Sequence, residues 1–150
     1  MSQQSSDTAS VLLALRKLLL GTEHHRRSLA KTMGVGTIEL AVMGHLHESG
    51  ELTPKDIGDR LGVTTGSTTA ILDRIEQAGY LVRKPNPYDR RSVILSLTPN
   101  GELAIAAAIE TQAAQLTAAL AGTGYENLEG MATALNAVAD TVGDPASRNG

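Results

Sequence analysis

Residues 63–98, VTTGSTTAILDRIEQAGYLVRKPNPYDRRSVILSLT, leave this chain few ways to fold. The first half is written as a helix. Thr64 is placed to cap it, because its hydroxyl can accept one of the free backbone N–H groups of the first turn. Apolar side chains recur at Ile71, Leu72 and Ile75, with Thr68 just ahead of them, the spacing of one buried helical stripe. The remaining face carries Thr65, Gly66, Thr69, Ala70 and Asp73, with Ser67 and Arg74 on its flank. Most of these side chains are short, so the helix backbone can come close to a partner surface. Gly79 is placed as the residue that stops the helix.

The second half is written as a hairpin. Leu81 and Val82 open one strand, and Val93, Leu95 and Leu97 alternate with Ile94 and Ser96 in the other. Residues 83–91, RKPNPYDRR, join them, and Pro85, Asn86 and Pro87 make a turn or an extended loop. Four of these nine residues are Arg or Lys, against one acid, Asp89. A solvated loop is the ordinary use of a charge run. A basic hairpin directly after a helix of short side chains has a more specific one. The helix would lie in the major groove of DNA, and the hairpin tip would reach phosphates or the neighbouring minor groove.

The run DRRSVILSLTPNG, residues 89–101, resembles the wing signature of the MarR family of bacterial winged-helix regulators. That pattern has Asp, any residue, Arg, then a hydrophobic strand ending in Leu-Thr, with Gly shortly after. The preceding IGDRLGVTTGSTTAILDRIEQAGYLVRK is similar to the two DNA-domain helices of the same family, and the ungapped likeness runs from about residue 34 to residue 101. The resemblance implies a mainly α fold with a small antiparallel β-hairpin wing: a winged helix-turn-helix DNA-binding domain plus a helical dimerisation domain. It also implies a homodimer, with repression as the common mode and release by a small aromatic or phenolic effector. Two groove helices related by a two-fold should sit about 34 Å apart and read an inverted repeat.

A net charge of −3 runs against a nucleic-acid partner until it is resolved along the chain. Residues 1–52 carry five basic and five acidic side chains, residues 53–91 seven and five, and residues 92–150 one and six. Phosphate binding follows the local field, so the acidic end should lie away from DNA. The absence of cysteine excludes disulfides, thiolate metal sites and the cysteine-based peroxide sensing of some MarR relatives. No uninterrupted run reaches the ~18 apolar residues of a membrane span, and the N-terminus lacks a basic signal-peptide start. A soluble cytoplasmic protein is expected.

The remaining segments are expected as follows. Residues 1–9 are disordered, and a first helix covers about 10–31 with Leu12, Leu13, Leu15, Leu19 and Leu20 on a wide apolar face. A second covers about 37–48, with Thr37 as N-cap and Leu40, Ala41, Met43 and Leu46 inward. Thr53 caps a third, 54–61, with Pro54 at the favoured first position and Ile57 and Leu61 buried. With Gly62 and Val63 as the turn, this is the helix-turn-helix layout. Pro99 opens an Ala-rich fifth helix, about 100–121, and a sixth follows from 125 to 142. Regions 10–33 and 99–142 are assigned to dimerisation, 34–98 to DNA binding and 143–150 to a frayed tail. The outer helices carry more apolar face than a small winged helix covers, so they form an interface or pack on one another.

Arg91 matches the family position that reaches the minor groove, and Asp89 looks like its positioner through a charge-assisted bond; a plain surface ion pair is the alternative. Arg90 and Lys84 are assigned to phosphates. Lys55 either contacts the DNA backbone or is simply exposed. Arg74 either grips a phosphate or pairs with Asp73 or Glu76. The groove face, Thr64 to Ala70, lacks the Arg that many relatives carry, and the methyl groups of Thr and Ala suit thymine, so an A·T-rich operator is expected. His24, His25, His45 and His47 are spaced to point in different directions, so neither a metal nor another cofactor is expected. His24, His25, Arg26 and Arg27 are either solvated or near an effector site whose residues the sequence leaves unknown. No nucleophile–base pair or phosphate loop suggests an enzyme. A winged-helix module binding only protein partners is the alternative, and it predicts no salt-dependent DNA affinity.

Overall fold

The computed structural model describes residues 2–143. The chain runs α1 (Ser2–Met33), α2 (Thr37–Ser49), α3 (Pro54–Leu61), α4 (Thr65–Gln77), β1 (Leu81–Pro85), β2 (Val93–Leu97), α5 (Pro99–Ala121) and α6 (Leu128–Gly143). It divides into two compact units, residues 1–109 and 110–150.

In the first unit, α2, α3 and α4 pack with the hairpin around Val42, Met43, Leu46, Ile57, Leu72, Ile75 and Leu95, all fully buried. Local chemistry sets the helix ends. Thr53 and Asp56 form a reciprocal capping box at α3, and Gly62, at φ +64°, closes that helix. The Thr64 side chain accepts from the Ser67 backbone N–H to start α4. Gly79, at φ +80°, takes the left-handed conformation just after it. Strands β1 and β2 are antiparallel, with Leu81 opposite Leu97 and Pro85 opposite Val93. Leu52 adds a one-residue bridge to Leu95 through backbone hydrogen bonds of 3.2 and 2.8 Å.

In the second unit, Gly124 turns the chain at φ +67° between the C-terminal part of α5 and α6. An apolar groove of about 530 Å³ lies between these helices, lined by Leu116, Leu120, Tyr125, Leu128, Met131 and Leu135 among others. Much of the expected α6 stripe remains open, with Leu128, Leu135 and Val138 at 41–50% exposure.

Several boundaries differ from expectation. Residues 2–9, expected to be disordered, are the start of α1. Gln, Ser and Ala contain no helix breaker, so polar composition alone does not end a helix. Thr37 is inside α2; its N-cap is Gly36, whose backbone is extended. Helix α6 starts at Leu128 rather than Tyr125, because Asn127 Oδ1 accepts from the Gly130 N–H and serves as the cap. The boundary between units falls at 109/110, inside α5, rather than at 98/99. The first turns of α5 belong to the winged-helix core: Gly101, Ile105 and Ala108 are buried there. One helix among those described, α5, is long and apolar enough by length and composition to cross a membrane, with a mean hydropathy of 1.3. Its Thr, Gln and Glu residues interrupt the apolar run, yet the many Ala, Leu and Ile residues keep the average at that level. Of the tail expected at 143–150, residues 144–150 lie outside the described residues.

Candidate nucleic-acid interface

Helix α4 is amphipathic as its sequence requires. Thr68, Ile71, Leu72 and Ile75 are buried, while Thr64, Thr65, Gly66, Ser67, Thr69 and Ala70 are exposed. Several hydroxyls on this face are turned back on the helix. Thr64 Oγ1 and Ser67 Oγ lie 3.0 Å apart, and Thr69 Oγ1 donates to the Thr65 carbonyl at 3.1 Å. What Thr69 and Ala70 present outward is therefore largely methyl.

The wing turn is built by side chains that bind backbone. Asn86 Oδ1 accepts the Tyr88 N–H at 2.9 Å, and Asn86 Nδ2 donates to Ser92 Oγ at 2.8 Å. Asp89 Oδ1 accepts the backbone N–H of Arg91 at 3.0 Å. This corrects one expectation: Asp89 holds the turn from which Arg91 projects, not the guanidinium itself. Tyr88 stands at the tip, 94% exposed.

The basic side chains of residues 53–91 fall into two groups. Five are engaged. Lys55 Nζ meets Asp59 at 2.8 Å, and that hydrogen bond, followed by the Asp59 charge, raises the Lys55 pKa above its usual 10.5. Arg60 donates to Ser49 Oγ, and Lys84 lies 3.9 Å from Glu51. Arg83 reaches from β1 to Asp73 and Glu76 of α4 at 2.7 and 2.6 Å. Arg74 pairs through Nε with Glu39 of α2, not with Asp73 or Glu76, whose carboxylates Arg83 already occupies. Arg90 and Arg91 are exposed and have no ion pair among the described residues.

Two recesses connect these groups. A cleft of about 440 Å³ between α3 and α4 is lined by Lys55, Asp59, Thr65 and Thr69 among others. A second, of about 500 Å³, between the start of α3 and the wing, is lined by Thr53, Lys55, Asn86, Asp89 and Arg91 among others. Lys55 lines both, so the start of α3 links the exposed face of α4 to the wing. The Thr53 hydroxyl, and then its backbone N–H, hold the Asp56 carboxyl below its usual 3.8, which keeps the cap charged.

A family model described as MarR family matches residues 33–92. The chain is also 38% identical over 80 residues to the HTH-type transcriptional regulator YcgE of Bacillus subtilis (strain 168), a match covering 53% of this chain and 52% of that protein. The stretch matched by that family model is 60 of the chain's 150 residues and takes in α2, α3, α4 and β1. The chain spans about half the length of the first curated relatives it matches. Over nearly its whole length it is similar to the crystal structure of MarR family transcription regulator SP03579, with a TM-score of 0.77, 25% identity, and coverage of 99% of this chain and 98% of that one. The Streptococcus pneumoniae FabT structure, solved in complex with DNA, shares the fold at a TM-score of 0.73 and 23% identity, covering 93% of this chain and 97% of that one.

Within this fold, sequence reasoning misses three parts. Leu52 is a lone apolar residue between polar neighbours, and such a residue just before a helix cap is the signal for a bridge. Arg83 reads as part of the loop, although Asp73 and Glu76 share one face of α4 and await a cation. Glu39 gave no local signal, since its partner lies 35 residues away. Arg26 and Arg27, candidates for an effector anion, are paired with Glu23 at 2.5 and 3.3 Å. His47 Nδ1 meets Glu102 Oε2 at 2.8 Å, joining α2 to the start of α5.

Proposed function

We propose that this chain is a MarR-family protein and that two copies of it bind double-stranded DNA as a sequence-specific transcriptional regulator. The observation that carries the reading is the pair of unengaged arginines, Arg90 and Arg91, at the tip of a wing joined by ion pairs to a helix with a short-residue exposed face. Helix α4 enters the major groove, Arg91 reaches the minor groove, and Arg90, Lys84, Lys55 and Arg74 lie along phosphates. The methyl-rich face of Thr69 and Ala70 favours an A·T-rich inverted repeat.

Homodimerisation is supported by apolar side chains left open on α1, α5 and α6, among them Leu12, Leu19, Leu103, Leu116 and Leu128, each at least half exposed. The same faces give the hydrophobic α5 an occupant other than lipid, with action in the cytoplasm. The chain acts as a repressor, released when a small aromatic or phenolic effector favours a spacing of the two α4 helices that no longer fits adjacent turns of DNA.

The test is fluorescence anisotropy of the genomic fragment most enriched by the purified protein, read across salt. Affinity should fall steeply with salt through counterion release, and Arg91→Ala should weaken binding without unfolding. Salt-independent or absent binding would leave the protein-interaction module as the reading.

A further inference from the structure

Glu39 is a carboxylate that is only 4% exposed, in the first turn of α2. Two features face its side chain. The free N–H groups of a helix start favour an anion. The Arg74 Nε–H donates to its Oε1. Gly36 makes the space, since a Cβ there would sit 2.1 Å from Glu39 Oε2.

The consequence falls on Arg74. A guanidinium is planar and carries five N–H donors in a fixed fork. With Nε–H given inward, its plane is set. The terminal nitrogens have no hydrogen-bond partner among the described residues, and the side chain is 57% exposed. Arg74 stands one helical turn beyond Ala70, beside the short-residue face of α4. The other flank of that helix, Asp73 and Glu76, is held by Arg83.

We infer that Glu39 is a positioning residue for DNA binding: it fixes the Arg74 guanidinium so that its outer edge meets a backbone phosphate at the rim of the groove. The inference rests on the DNA-binding reading above. An arginine that is free in solution loses rotamer freedom when it grips a phosphate, and one already held loses less. The geometry also suits the ligand, because two parallel N–H donors match two phosphate oxygens.

The experiment measures anisotropy of labelled mixed-sequence duplex DNA across salt, with a thermal melt of each variant. Arg74→Gln should reduce the salt slope by about one per protomer. Glu39→Met fills the space but offers no acceptor; it should keep the slope and weaken binding about three- to tenfold per protomer. Glu39→Gln, which retains a carbonyl acceptor, should bind close to wild type. The double variant Glu39→Gln/Arg74→Gln leaves no buried charge, so it reports the slope even if Arg74→Gln alone does not fold. A wild-type slope in the Arg74 variants, or wild-type affinity in Glu39→Met, would overturn the inference while wild-type protein still binds DNA. Wild-type protein lacking salt-dependent binding would overturn the DNA reading itself.

Discussion

Arg83 and Arg91 sit on one hairpin and do different work. Arg83 is 27% exposed and ties β1 to two carboxylates of α4, so Arg83→Ala should lower stability by about 1 kcal/mol, a modest loss because both acids are partly solvated. Arg91→Ala should leave the melting temperature unchanged and reduce the salt slope of DNA affinity by about one per protomer. Measured together, a melt and a salt titration separate the two residues. The buried stripe behaves differently again. Ile75 is fully buried, and Ile75→Ala should cost about 2–5 kcal/mol in a denaturant titration. That stripe was legible in the sequence, because helical spacing of apolar residues is a local signal. The placing of Arg74 was not. Two acids lay close to it in sequence, and the hairpin, which folds back from beyond the helix, claims both.

Among the elements, α3 and α5 depend on their first turns. The carboxyl of Asp56 is held below its usual pKa of 3.8 by Thr53. A lowered carboxylate pKa stabilises the fold above the unfolded value, and that stability fades as pH falls through the folded value. Thr53→Ala removes the α3 cap, a change that costs about 1 kcal/mol near neutrality, and its deficit against wild type should shrink in melts taken below about pH 3.8, where Asp56 loses its charge. At α5, Gly101 is buried, and a Cβ there would sit 2.3 Å from the Tyr80 carbonyl oxygen. Gly101→Ala should destabilise by about 1–3 kcal/mol, because the obstacle is backbone rather than a flexible side chain. The α3 cap could be read from Thr-Pro and an acid three residues on. The docking of α5 could not. Ala-rich helices look alike along their length, and nothing in residues 99–121 marks where packing on the winged-helix core ends.

At the scale of the whole molecule, the feature that stands out is apolar surface the chain does not cover. Leu12 and Leu19 of α1 are 67% and 68% exposed. If two copies cover it, the melting temperature should rise with protein concentration, and Leu12→Ser/Leu19→Ser should shift sedimentation toward the monomer. The excess was visible in the sequence as leucines beyond what a small winged helix needs. Whether they meet other helices of the same chain or a second chain is a long-range matter that periodicity does not address. The aromatic inventory has a practical consequence of its own. The chain has three tyrosines and no tryptophan or phenylalanine, and one of the three, Tyr88, projects from the wing tip beside Arg90 and Arg91. With no indole to swamp or drain its emission, the finger proposed to touch the duplex carries its own lamp, and the share of tyrosine emission lost in a Tyr88→Leu variant should report when that lamp is shaded by a base pair.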